Sequence, residues 1–136
     1  MEAKDLMIGD WVNIAVEEYN NPTRIREIGS FWVKVIKDEM EYGNILVTPI
    51  PLTAKILKKL GWEKCNIDVV DDDEQYGCAY GSFYVTWWRK VKLLSCYFED
   101  KNAGLHYEMI SELPTKHVHQ LQHALKLCGI DKEIEL

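Results

Sequence analysis

Only two stretches of this chain space their apolar residues as a helix does, and start and stop signals bracket both. The first follows Pro51: Thr53 stands at an N-cap position, Ile56, Leu57 and Leu60 form one stripe, and Gly61 sits where a left-handed C-terminal cap is wanted. It is about two turns long, so packing must hold it, and Trp62 just beyond can fold back on its stripe. The second opens after Leu113-Pro114-Thr115, lines Val118, Leu121, Leu125 and Cys128 on one face, and ends at Gly129. The remaining segments are rich in β-branched and aromatic residues, which fit a pleated surface. The reading is a single α+β domain over residues 1–136: an antiparallel sheet, a short central helix and a C-terminal amphipathic helix packed on the sheet.

The segments before the first helix predict a small sheet whose N-terminal part curls toward an SH3-like barrel. Gly9-Asp10 is turn chemistry, and Val12, Ile14 and Val16 alternate behind it. Arg24 to Ile28 and Phe31 to Ile36 read as strands with a turn at Gly29-Ser30, and Ile45 to Ile50 closes the group. After the helix, 67–70 reads as a strand broken by the acidic loop 71–74. Cys78 to Trp88, Val91 to Phe98 and Leu105 to Ile110 then form a three-stranded meander. The alternating tail 131–136 suits a short edge strand.

Charge and cysteine usage exclude several classes. With 16 Lys+Arg against 22 Asp+Glu the net charge is −6, which argues against general binding to nucleic acid, since that affinity comes from cations neutralising phosphates. The charge is uneven: Lys55, Lys58, Lys59 and the segment Arg89 to Lys92 are locally basic, while 71–74 and 131–135 are acidic. The four cysteines, Cys65, Cys78, Cys96 and Cys128, form no CxxC knuckle and read as free thiols in a reducing compartment. No apolar run reaches the ~20 residues of a membrane span and the start is acidic, so the expected location is the cytoplasm, away from membranes.

The segments KDLMIGDWV, TPIPLTAKILKKLGW and HVHQLQHALKLCGIDKEIEL together resemble a family of short proteins of Bacteroides-type gut bacteria and their phages and prophages. The resemblance covers both ends and the central helix, about a third of the chain. That family usually has Asn where this chain has His123, and it has no assigned activity. The resemblance therefore implies a setting, mobile DNA, and no site residues.

Two constellations carry chemistry. The first is the aromatic run ending in Tyr84, Trp87 and Trp88, followed at once by Arg89 and Lys90. On a strand, Phe83, Val85 and Trp87 share one face and Tyr84, Thr86 and Trp88 the other, so rings project on both sides. Such a strand is either central and covered on both faces, or leaves an aromatic platform that would hold a protein partner or, beside Arg89, Lys90 and Lys92, single-stranded nucleic acid. The second is His119 and His123, one helical turn apart, which could ligate a metal in a hydrolase. They lie largely away from the apolar stripe, which reads as a solvated face, and no Glu follows His119 as in a zinc protease. The loop 71–74 lacks the ligand alternation of a calcium loop, and there is no nucleophile elbow, phosphate loop or dinucleotide fingerprint. The expectation is a non-enzymatic interaction or accessory protein without a cofactor, with a nucleic-acid module and a metal-dependent hydrolase as the alternatives.

Overall fold

The structure is a computed structural model. It describes residues 1, 5–16, 22–65, 73–100 and 106–136, without the side chains of residues 100 and 106–111. The strand expected at 67–70, the first half of the acidic loop 71–74 and Leu105, the expected start of the last meander strand, lie outside the described residues. The fold is α+β, with two five-stranded antiparallel sheets and two helices among the described residues. The chain divides into two compact units: residues 1–51 with 117–119, and residues 52–116 with 120–136.

In the first unit, strands β1 (Trp11–Ile14), β2 (Thr23–Ile28), β3 (Trp32–Val35), β4 (Tyr42–Gly43) and β5 (Val47–Pro49) stand in the order β4-β3-β2-β1-β5. Gly9, at φ 92°, makes the entry turn; its N–H donates to the Ile25 carbonyl, and the buried Asp10 carboxylate accepts from Met7 N at 2.7 Å. Alternation then sends Val12, Ile14, Ile25, Val33, Val35 and Val47 into one aliphatic core with Leu6 and Tyr42. A register shift between Ile25 and Glu27 marks a bulge at Arg26.

The strand expected from Ile45 to Ile50 begins two residues late. Asn44–Leu46 form a 3₁₀ turn, and only Val47–Pro49 pair with β1. The turn swings the chain from the β4 edge to the β1 edge, and it leaves Ile45 89% exposed.

The second unit is built on helix α1 (Ala54–Lys59) and strands β6 (Glu63–Cys65), β7 (Gln75–Tyr80), β8 (Phe83–Trp88), β9 (Leu93–Asp100) and β10 (His106–Pro114), followed by helix α2 (Val118–Leu127), whose first two residues fall in the first unit. The predicted ends of α1 hold: Thr53 Oγ1 accepts from Ile56 N at 3.2 Å, Gly61 has φ 90°, and Trp62 N returns to the Leu57 carbonyl. The meander has five strands rather than three. The segment Cys78 to Trp88 is a hairpin, because Gly81 at φ 61° supplies the first position of a two-residue turn that a side-chain-bearing residue would resist.

Bulky residues fill the core face of this sheet: Tyr76, Val85, Trp87, Leu94 and Cys96 are all buried. Trp62 Nε1 donates to Tyr80 Oη at 2.8 Å, and Lys58 of α1 lies 6.0 Å from the Tyr76 ring centre, so α1 and its exit cover this face. Burial first, then Cys128 one residue past α2, push the Cys96 thiol on β9 up to about 12. Gly129, at φ 77°, closes that helix.

Two expectations for the C-terminal region are corrected. Residues 131–136 form no strand; the alternation there reflects Ile134, buried as Ile130 is, which anchors the tail. His119 is not on a solvated face. It is 5% exposed, because Val118, His119, Leu121, Gln122, Ala124 and Leu125 are all buried and cover more than half the circumference of α2.

Candidate interaction site

The aromatic strand β8 divides its rings as alternation requires. Trp87 points into the core, is fully buried, and donates its Nε1–H to the Thr115 carbonyl at 2.9 Å. That bond satisfies the one polar group of a large ring that burial would otherwise penalise. Tyr84 and Trp88 lie on the opposite face and stay half-buried, as does Tyr97, which pairs directly with Tyr84 across β8 and β9. Between them Thr86 is 3% exposed, and its Oγ1 has no hydrogen-bond partner among the described residues.

The basic residues that follow are engaged by acidic ones. Arg89 Nη1 meets Glu74 Oε2 at 3.0 Å, Lys64 Nζ lies 3.7 Å from the same carboxylate, and Tyr76 Oη donates to it at 2.8 Å. The Tyr76 hydroxyl, then Arg89 and more weakly Lys64, hold the Glu74 carboxyl below its ordinary range. The Lys90 backbone N–H donates to Asp73 Oδ1 at 2.7 Å. Lys92, the one described non-glycine residue with positive φ, sets its ammonium 5.1 Å from the Trp87 ring centre. A phosphate approaching Arg89 would thus compete with a carboxylate already in place, which lowers the counterion-release gain of a nucleic-acid contact.

A cavity of about 290 Å³ opens beside the β6 edge, lined by Glu63, Lys64, Cys65, Gly77, Cys78 and Tyr84 among others. The absence of a side chain at Gly77 makes room for the Tyr84 ring and the Cys65 thiol on its wall. A Cβ there would lie 2.5 Å from Tyr84 Oη and 2.8 Å from Cys65 Sγ, so the Tyr84 ring crosses over Gly77 to reach the thiol of Cys65 at 3.2 Å. That hydrogen bond first, then burial, then the neighbouring thiols, push the Tyr84 phenol up to about 12. The Tyr80 phenol is also pushed up to about 12, mainly by burial. Both phenols are protonated at neutral pH, so the cavity, which Tyr84 lines and Tyr80 does not, offers the Tyr84 hydroxyl and two thiols rather than a phenolate base.

The two histidines of the metal reading stand in different environments. His119 is buried and stacks on His117 with ring centres 5.7 Å apart and planes 12° apart, while His123 is half-buried. Among the described residues, no group of three or more His, Cys, Asp and Glu side chains is arranged to hold a metal ion.

The most exposed large apolar side chains lie in the first unit. Phe31 is 83% exposed and Ile45 89%, and the 2.9 Å bond from Asn44 N to the Phe31 carbonyl sets them on neighbouring segments. Trp32, next along β3, is half-buried with its ring over Gly29, where a Cβ would collide with it. Sequence reasoning missed this pair because it read Phe31 and Ile45 as ordinary strand residues. The available signal was their position beside Gly-Ser and Gly-Asn turns, where a strand side chain tends to be uncovered. Among the described residues no helix is long and apolar enough to cross a membrane. No family model matches the chain, and neither a curated protein nor a solved structure is found to be similar to it.

Proposed function

We propose that this is a cytoplasmic, non-enzymatic interaction or accessory protein, of the phage or prophage setting that its sequence resemblance implies. In this reading it engages another protein through the apolar surface of its first unit. The observation that carries the reading is the neighbouring pair Phe31 and Ile45, each more than four-fifths exposed. Large apolar side chains cost free energy in water, and an aromatic anchor beside an aliphatic one is the composition of a docking patch rather than of an inert surface. The strand order β4-β3-β2-β1-β5, with a 3₁₀ turn ahead of β5, supports reading the first unit as an SH3-like barrel. Such folds host many functions, so the argument rests on the patch and not on the topology.

The test is crosslinking capture with native protein, a Phe31→Ser/Ile45→Ser double variant and a Phe98→Ser variant, Phe98 being an exposed ring on the second sheet. A partner retained by native protein and Phe98→Ser but reduced at least ~10-fold with the double variant supports the proposal. Equal capture by all three overturns the assignment to this patch.

A further inference from the structure

We propose that the cavity at the β6 edge binds a small organic ammonium ion, the Glu63 carboxylate meeting its charge and the Tyr84 ring its alkyl groups. All the residues that line the cavity belong to the second compact unit. Strand register decides which of their side chains face into it. Glu63 pairs directly with Gly77, Cys65 with Gln75 and Tyr84 with Ala79, so Glu63, Cys65, Ala79 and Tyr84 share the face on which Gly77 has no side chain. Lys64 pairs with Tyr76 and Cys78 with Val85, both of them buried, so these two side chains leave from the other face. The Lys64 ammonium lies there, 3.7 Å from Glu74.

This alternation leaves Glu63 as the charged side chain on the cavity face. It is exposed and makes no ion pair among the described residues. Tyr84 adds a ring and a protonated hydroxyl without a second charge. One carboxylate beside an aromatic ring suits a monocation with an apolar shell, which the carboxylate attracts by its charge and the ring by its quadrupole. A divalent metal takes several oxygen ligands, and an anion would be repelled by Glu63. The volume of about 290 Å³ stands at the lower edge of the roughly 300–1,000 Å³ of ligand pockets, so the occupant is small. The chain's net charge of −6 favours the approach of a cation.

The experiment titrates the native protein with choline chloride, sodium chloride holding the ionic strength constant, and follows the backbone amide NMR shifts. A parallel titration uses the neutral isostere of choline, in which carbon replaces the nitrogen. The expected result is saturable shifts at residues 61–65 and 77–79, with a Kd of about 1–10 mM and at least ~5-fold weaker binding of the isostere. Glu63→Gln, altered at an exposed position, should fold and weaken choline at least ~5-fold, whereas Lys64→Gln should stay within about 2-fold of native. The absence of saturable shifts up to about 100 mM, equal binding of choline and its isostere, saturable shifts confined to other residues, or native affinity in Glu63→Gln would each overturn the proposal.

Discussion

The two sheets solve the same problem with different side chains. The first fills its core with Val12, Ile14, Ile25, Val33, Val35 and Val47 and leaves the Phe31 ring in solvent. The second buries rings, Trp62, Tyr76 and Trp87, and must give each polar atom a partner: Tyr80 Oη for Trp62, Glu74 for Tyr76 and the Thr115 carbonyl for Trp87. An aliphatic core needs alternation and little else, so Phe31 is left to the surface although Trp11 and Tyr42 are buried. An aromatic core is held by specific hydrogen bonds and reaches into the loops that supply them. A dense aromatic run in a sequence is therefore a poor guide to exposed rings.

The contrast is sharpest for single-ring deletions. Trp87→Ala should lower stability by about 3–5 kcal/mol in urea denaturation, through the lost ring, the cavity and the unpaired Thr115 carbonyl. Phe31→Ala should stay within about 0.5 kcal/mol of wild type. Equal costs for the two would break the comparison.

Gly77→Ala should cost about 1–3 kcal/mol, since the new methyl meets Tyr84 and Cys65. A double-mutant cycle with Tyr84→Phe should recover part of that loss, and strict additivity would mean that the ring does not cross the glycine. For α1, Gly61→Ala should cost about 1–2 kcal/mol from the left-handed backbone alone, because no atom lies within 4 Å of the added Cβ. Thr53→Ala should cost about 1 kcal/mol from the lost cap.

The smallest expected effect is electrostatic. Glu74 has a folded pKa below its unfolded one, so its contribution is present above the ordinary carboxyl range and is lost as pH falls through the folded value. The urea midpoint should accordingly fall between about pH 7 and about pH 3, and less so in Glu74→Gln. An unchanged pH dependence in that variant would detach the Arg89–Glu74 pair from the stability of the second sheet.

Much of the architecture was legible because its signals are local. Thr53, Gly61 and Gly129 mark helix ends through backbone chemistry acting within a few residues, and the alternation in β1, β3 and β8 is a property of any pleated strand. The hairpin at Gly81 was missed because two aromatic runs flank a single short turn and read as one strand. The tail was misread because Ile134 alternates in sequence while anchoring a segment outside either sheet. His119 was misplaced because a helix wheel gives the apolar stripe and not the width of the surface that covers it.

By itself the sequence determined the fold class, the helix ends and which residues of each strand share a face, because these follow from dihedral preferences and periodicity over a few residues. Only the tertiary structure decided that Trp87 is core while Tyr84 and Trp88 stay half-open, and that Arg89 is engaged by Glu74. It alone left Phe31 and Ile45 uncovered. Burial and pairing sum over segments far apart in the chain, and no local pattern carries that sum.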